Sequence, residues 1–247
     1  MTILDKQDLL SYAASFDEAG NKDSCAASGG EGLTIVITSL RATPDGERIG
    51  VSLELCDAAR ALRERQTLGI ATELFGELGL SRGEISAEAY EALTQAAQLS
   101  EAMRRAIYML GYGANSARSL EQKLCAKGIP AKIAARAVER LADKGYLREE
   151  SDALRVAQRS LDKGWGLRRI LEDLRHRGYG SDAVAAAREA LQAEEDFCLH
   201  CARAARKKSP APPSDVAQRR KLSDFLMRYG YSGDEIRYAL LHAWRAE

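Results

Sequence analysis

Cys198-Leu199-His200-Cys201 is the segment whose side chains could most readily do chemistry, because thiolates and imidazole are preferred zinc ligands. A structural zinc site needs four ligands, and the sequence has no second Cys-x-x-Cys pair to supply the others. His176 and His242 have no acid or nucleophile partner that the sequence sets beside them. The sequence therefore favours ordinary helical residues here, with an enzyme built on the Cys/His cluster as a lesser alternative.

The sequence contains no motif for nucleotide binding. The chain contains no G-x-x-x-x-G-K-[ST] run, so we predict no P-loop, no bound ATP and no cofactor. Trp165 and Trp244 are interpreted as packing residues rather than as platforms for stacked bases. No active site emerges, and the sequence predicts a protein that is not an enzyme.

Anion binding is the chemistry that the charge pattern favours. Residues 1–96 carry 8 Lys+Arg against 16 Asp+Glu, whereas residues 97–247 carry 28 against 20, so a net charge of zero divides into −8 and +8. An uneven charge distribution of this kind affects which partners the chain binds rather than how the chain folds. The predicted interaction face consists of Lys123, Lys127, Arg168, Arg169, Arg175, Arg177, Arg219, Arg220, Lys221 and Arg228. Solvated helices are often basic too, and spacing alone does not separate an acidic protein face from DNA phosphates.

An internal repeat positions these basic residues. Three glycines, Gly128, Gly178 and Gly230, are spaced by 50 and then 52 residues, a period typical of tandem helical units. Apolar residues stand eight and four positions before each glycine, which places them on one helix face: Leu120, Leu124, Ile170, Leu174, Leu222 and Leu226. Each glycine suits the left-handed position that ends a helix, and the glycines are the predicted structural anchors of the repeat.

Each predicted unit contains three helices. Ser116 and Gly166, twelve residues before the first two glycines, are acceptable N-caps, and Ser214 or Asp215 takes that role in the third unit. A further amphipathic helix follows each glycine, and another precedes each middle helix. The predicted three-helix repeats are residues 97–150, 151–193 and 194–247.

The chain ahead of the repeats has a different composition. Residues 1–32 lack a sustained apolar period and are predicted to be a flexible N-terminal arm. Residues 33–96 are predicted to form a small, acidic β-rich/α module. Its hairpin consists of Leu33–Leu40 and Ile49–Leu55 around the turn Thr43–Gly46, with a third strand near 66–70 and a short helix at 71–78. The predicted fold is therefore mostly α, with three tandem three-helix repeats in an elongated array, preceded by a small β-hairpin-containing N-terminal module.

Five cysteines in a long chain without a signal peptide argue against a disulfide framework and favour the cytoplasm. No run of eighteen apolar residues is present, so no membrane association is predicted. An array with its own core and no sustained heptad seam predicts a monomer.

The repeats carry a resemblance to a known family. Gly166-Leu167-Arg168-Arg169-Ile170-Leu171-Glu172-Asp173-Leu174-Arg175-His176-Arg177-Gly178-Tyr179 is similar to the middle-helix pattern of the RecX family, and Arg220 to Ile236 resembles its terminal signature. Gly145-Tyr146-Leu147 matches the family's junction into the second repeat. Ser119 departs from the pattern, since the family usually has an acidic capping residue there. The resemblance covers about 150 residues, from 97 to 247.

The resemblance implies a regulator that binds filaments of the recombinase RecA, and often DNA, and that inhibits filament growth and strand exchange without catalysis. It places the protein in DNA repair, recombination and the SOS response. Our alternative from the residues alone is a helical, sequence-tolerant DNA-binding protein without a RecA partner. Binding of single- or double-stranded DNA through the basic repeats is left open at this point.

Overall fold

The computed structural model describes residues 34–57 and 59–244, and in this part the chain folds into four strands and ten helices. The predicted arm 1–32, Leu33 at the start of the first predicted strand, and residues 245–247 lie outside the described residues. The predicted fold class, mostly helical with a small antiparallel sheet ahead of the helical units, is confirmed. None of the described helices is long and apolar enough to cross a membrane.

The sheet has the order β3-β2-β1-β4, with antiparallel neighbours. Its strands are β1 (Thr34–Ala42), β2 (Arg48–Cys56), β3 (Leu62–Ala71) and β4 (Gly83–Ile85). β1 and β2 form the predicted hairpin, in which the Gly46 N–H donates to the Thr43 carbonyl at 2.9 Å. β3 is longer than predicted because it pairs along the whole of β2. β4 was not predicted, since three residues are too short to show an alternating pattern.

Apolar side chains alternate along β1 and β2 and point to the same face of the sheet, so that face is buried. The buried side chains include Ile35, Ile37, Val51, Leu53 and Ile70, each at most 4% exposed. After β3 come α1 (Thr72–Leu78) and α2 (Ala87–Tyr112). The Ala71 N–H at the end of β3 donates to Ser100 Oγ on α2 at 2.9 Å. The predicted boundary between residues 96 and 97 falls inside α2, because neither glycine nor proline interrupts this helix before Gly111.

The first compact unit contains residues 34–113 and Leu120–Tyr146. It includes most of α3 (Ala117–Ala126) and all of α4 (Ala131–Asp143). Arg140 on α4 donates two hydrogen bonds to the Glu77 carboxylate, at 2.8 and 2.7 Å, and thereby lowers the pKa of Glu77. Lys144 forms a further ion pair with Glu73. Some of the acidic charge of the N-terminal module therefore stabilises this unit internally.

The second compact unit contains Ala114–Ser119 and residues 147–244. Its helices are α5 (Glu149–Asp162), α6 (Leu167–His176), α7 (Ser181–Glu194), α8 (Phe197–Lys208), α9 (Val216–Arg228) and α10 (Gly233–His242). α5 to α7 enclose a buried cluster that includes Leu161, Ile170, Leu174 and Leu191. α8 to α10 enclose another that includes Cys201, Leu226, Tyr231 and Ala239.

The repeated positions behave as predicted. The six apolar residues at positions −8 and −4 from the glycines are each at most 5% exposed. Gly128, Gly178 and Gly230 have φ values of 83°, 83° and 92°, which is the left-handed region. The residue after each glycine closes the helix end, as where the Tyr179 N–H donates to the Leu174 carbonyl at 3.1 Å. In the third unit the N-cap is Asp215, whose Oδ1 accepts from the Gln218 N–H at 2.7 Å.

Candidate functional site

The start of α6 is joined to the end of α9 by backbone hydrogen bonds. The Gly166 N–H donates to the Tyr229 carbonyl at 2.7 Å, and the Arg168 N–H donates to the Gly230 carbonyl at 3.3 Å. The first N–H groups and the last carbonyls of a helix have no partner within their own helix. Here the two ends satisfy each other, with the positive end of one helix against the negative end of the other.

This joint requires glycine on both sides. A Cβ on Gly166 would lie 2.5 Å from the carbonyl carbon of Gly230, and a Cβ on Gly230 would lie 2.4 Å from the Cβ of Arg169. Real Cβ atoms do not approach other atoms so closely. Two residues identified from the sequence as a cap and an anchor therefore also form the contact between the second and third repeats.

Arg168 and Arg169, which we predicted to face a partner, take part in the same joint. The Arg168 guanidinium donates to the Met227 carbonyl at 2.8 Å. The Arg169 guanidinium lies 4.1 Å from the ring centroid of Trp165 and 5.2 Å from that of Tyr229. Both arginines thus help to hold the second unit together. Their contact with a partner stays a prediction.

Arg169 belongs to a row of aromatic rings and cations. Tyr229 contacts Phe225 with ring centroids 4.2 Å apart, and Lys208 lies 5.1 Å from the Phe225 ring. A cation near a ring face is attracted by the ring quadrupole, by about 0.5–1 kcal/mol at an exposed site. Trp165, which we interpreted as a packing residue, packs against the buried cluster of the second repeat.

A similar joint lies upstream, at the start of α3. Ser116 Oγ accepts from the Ser119 N–H at 3.1 Å and donates to the Arg177 carbonyl at 2.7 Å. Glu149 accepts from the Ala117 N–H, so a carboxylate from α5 serves the helix start. The α5 carboxylate thus satisfies one further free N–H at this helix start, where Ser119 supplies no acidic side chain. In both joints, the N-cap residue of the middle helix of one repeat contacts the glycine turn of the following repeat.

The remaining predicted basic residues are exposed and differ in their partners. Arg177 pairs with Asp173 at 2.7 Å. Within the described residues, no ion pair is formed by Arg175, Arg219, Arg220, Lys221 or Arg228. Lys123 and Lys127 are exposed and belong to the first unit. Consecutive Arg219, Arg220 and Lys221 lie near the start of α9 and form what we call the α9 basic cluster.

A groove of about 380 Å³ lies between the second and third repeats, entirely within the second unit. It is lined by Leu167, Arg168, Leu171, Arg175, Arg188, Gly230, Tyr231, Ser232 and Glu235. Arg168 and Arg175 were singled out from the sequence, and the structure brings them together here. Arg188 was missed, because it lies on α7 and has no counterpart around the repeated middle helix.

Comparison with known proteins shows the same family that the motifs indicate. Residues 102–141 match the model of the first three-helix domain of RecX, and residues 194–240 match that of the third. The chain is 36% identical over 138 residues to the Regulatory protein RecX of Xanthomonas campestris pv. campestris (strain B100), an alignment covering 56% of this chain and 84% of that protein.

The chain belongs to the RecX family.

Other RecX proteins agree with this assignment. The Regulatory protein RecX of Stenotrophomonas maltophilia (strain R551-3) is 32% identical over 138 residues, covering 56% of this chain and 83% of that protein. A crystal structure of regulatory protein RecX superposes with a TM-score of 0.65 at 17% identity, covering 83% of this chain and 98% of that one. The RecX structure from Lactobacillus salivarius gives 0.53 at 19% identity, with coverages of 60% and 97%. These structures show a shared fold.

The Cys/His segment of this RecX-family chain lies on α8, where Cys201 is fully buried. Burial raises the pKa of the Cys201 thiol to about 12, so the thiol stays protonated at neutral pH. A zinc ligand must be the thiolate. Among residues 34–57 and 59–244, no group of three or more His, Cys, Asp or Glu side chains is placed to hold a metal ion.

His200 instead belongs to a hydrogen-bonded chain. The phenol of Tyr231 donates to the Gly164 carbonyl at 2.9 Å, and its oxygen lies 2.9 Å from Nδ1 of His200. Because the phenol hydrogen is directed to Gly164, the His200 tautomer with its proton on Nδ1 completes this chain. Burial, and secondarily Arg203, lowers the pKa of His200 from its ordinary value of 6.5. The neutral imidazole is therefore the form that the folded chain prefers.

We expect the free energy of unfolding to fall as the pH drops below 6.5. In this range the unfolded chain binds a proton at His200 that the folded chain excludes, with a limiting slope of about 1.4 kcal/mol per pH unit. Urea unfolding between pH 5 and 8 measures this change, and His200→Gln should remove part of it. An identical pH dependence in the two proteins would show that His200 is not the group responsible.

Proposed function

We propose that this RecX-family chain binds RecA filaments through the basic residues of its second and third repeats and restrains their activity without catalysing a reaction. The observation that carries the proposal is a group of exposed cations on the middle helices of these repeats that form no ion pair within the described residues, namely Arg175, Arg219, Arg220, Lys221 and Arg228. Arg155 on α5 and Arg177 at the end of α6, by contrast, each pair with a nearby acid. Cations left without such partners are available to an acidic protein surface.

Family membership supports a regulatory role, because the relatives are named regulatory proteins. Their names do not identify the partner. We name RecA as the partner because of the motif resemblance. The basic surface of the repeats is suited to an acidic protein surface. We also propose that the chain acts in the cytoplasm and as a monomer.

Charge reversal in the α9 basic cluster should weaken this activity while sparing the fold. We expect Arg219→Glu/Arg220→Glu to need at least tenfold more protein to inhibit RecA ATP hydrolysis on single-stranded DNA. Reversal of charges at an interface costs several kcal/mol of binding, whereas exposed charges change stability by only about 0.5 kcal/mol each. Circular dichroism melting checks the fold, and co-sedimentation with RecA filaments checks binding.

Lys132→Glu/Arg159→Glu is the matched control, because both residues are exposed and lie outside the middle helices. It should inhibit like the wild type. Equal inhibition by the α9 variant and the wild type would show that the α9 basic cluster does not contribute to RecA binding. A wild type that neither binds RecA filaments nor inhibits RecA would end the RecA proposal itself.

The alternative is sequence-tolerant DNA binding without RecA, and the same unpaired cations favour it. Binding to phosphates weakens steeply with salt, because counterions are released from the DNA. A salt titration on naked DNA, in the absence of RecA, therefore distinguishes the two functions. Tight, strongly salt-dependent DNA binding with no effect on RecA would favour the alternative.

A further inference from the structure

The groove between the second and third repeats combines positive charge with an apolar floor. Arg168 and Arg175 line it from α6, Arg188 lines it from α7, and Glu235 is the carboxylate on the opposite wall. The Glu235 side chain already accepts from the Ser232 N–H at 2.7 Å in the capping box of α10. Three arginines therefore line the groove together with one glutamate, whose carboxylate already accepts a backbone hydrogen bond.

None of the three arginines is neutralised by a carboxylate among the described residues. Arg168 donates to a backbone carbonyl, and Arg188 Nε donates to the side-chain oxygen of Gln192 at 3.1 Å. Arg175 forms neither an ion pair nor a side-chain hydrogen bond within the described part of the chain. Guanidinium groups bind carboxylates in a planar, bidentate geometry, so a groove lined by three arginines suits an acidic ligand.

The apolar residues that line the groove determine which acidic ligands suit it. Leu171 and Tyr231 are 7% and 1% exposed, and the partly buried Leu167 lies beside them. Because Leu171 and Tyr231 are already buried, Leu167 offers the surface that an apolar ligand side chain gains free energy by covering, whereas a sugar-phosphate backbone is mainly polar and charged. The volume of about 380 Å³ is at the small end of the range for binding sites, roughly 300–1,000 Å³.

We propose that this groove binds a short acidic segment of a partner protein, with carboxylates on Arg168, Arg175 and Arg188 and one apolar side chain on Leu167 and Leu171. The inference rests on the proposed function, because it names the chemistry that the regulated partner presents to the second unit. Two of the three cations, Arg175 and Arg188, take no part in the joint between the repeats. They can therefore be changed without disturbing it.

The test uses a fluorescein-labelled peptide of four glutamates around two leucines as the probe. We expect saturable binding to the full chain by fluorescence anisotropy, and at least a tenfold weaker affinity for Arg175→Ala/Arg188→Ala. Arg175→Lys/Arg188→Lys should recover part of the affinity, since it restores charge but not the bidentate geometry. Lys132→Ala/Arg159→Ala, outside both the groove and the proposed RecA-binding surface, is the matched control and should bind like the wild type.

Two further peptides test the chemistry of the ligand. Replacing the leucines of the probe with serines, or its glutamates with glutamines, should weaken binding in either case. Equal binding of the glutamine peptide would overturn the carboxylate assignment, as would no binding of the original probe. Loss of oligonucleotide binding by the groove variant, without peptide binding by the wild type, would assign the groove to nucleic acid instead.

The same variants measured on RecA separate this inference from the proposed function. If the wild type does not act on RecA, the proposed function fails, and the peptide still decides what the groove binds. If the wild type inhibits RecA and the groove variant inhibits equally well, the groove is not where the partner binds, and this inference alone is overturned.

Discussion

Replacing Gly230 with alanine should lower the free energy of unfolding by roughly 2–4 kcal/mol, whereas the same change at Gly128 should lower it by about 1 kcal/mol. Both glycines have positive φ, of 92° and 83°, so both variants pay the same backbone cost. Only at Gly230 would the new Cβ also meet a neighbour, because it would lie 2.5 Å from the backbone nitrogen of Arg169. Chemical denaturation of the two variants measures the difference.

Gly166→Ala isolates the steric part, because Gly166 has a φ of −78° that any residue adopts. We expect it to cost about 1–3 kcal/mol, the usual range for overpacking. Gly233→Ala is the control at a helix start with nothing within 4 Å of its Cβ, and it should be close to neutral. Equal losses at Gly128 and Gly230 would mean that the α6–α9 joint is loose in solution.

Tyr231→Ala should lower the free energy of unfolding by about 3–5 kcal/mol, as for other buried aromatic residues. Its ring is 1% exposed and lies in the buried cluster of the third repeat. Tyr231→Phe keeps the ring and removes the hydroxyl that links His200 to the Gly164 carbonyl. Loss of those hydrogen bonds should cost about 1–3 kcal/mol.

Tyr179 provides the matched comparison, because it follows the glycine turn of the second repeat as Tyr231 follows that of the third. Its side chain is 6% exposed, and its hydroxyl forms no hydrogen bond within the described part of the chain. Tyr179→Phe should therefore leave stability almost unchanged. Urea midpoints that move together in the two Phe variants would contradict a specific role for the Tyr231 hydroxyl.

Much of the repeat could be predicted because its signals are local. A glycine that ends a helix, apolar residues four and eight positions earlier, and an N-cap twelve or fifteen positions earlier all act within one helix. β4 and the full length of β3 depend instead on pairing with strands distant in the sequence. The continuity of α2 was missed because a change in apolar periodicity near Leu99 resembles a boundary, although no residue there stops a helix.

The candidate site was only partly predictable for a different reason. Sequence spacing identifies Arg168 and Arg169 as basic residues on a middle helix, but not that the helix start meets the end of α9. Their role in the joint therefore appears only in three dimensions. Arg188 reaches the groove from α7, so the repeat that revealed the other arginines contained no signal for it.

The joints between repeats have a direction, which limits how such chains can be recombined. Each joint sets a small cap residue, Ser116 or Gly166, against the glycine turn of the following repeat. α9 has 13 residues whereas α3 and α6 have 10, and its extra turn places Gln218 inside the helix at the equivalent position. A further repeat grafted behind the third would meet a bulky side chain where the other joints have Ser or Gly. Duplicating the second repeat ahead of the third would keep both joints intact, so arrays of this kind can be lengthened from within more readily than beyond α9.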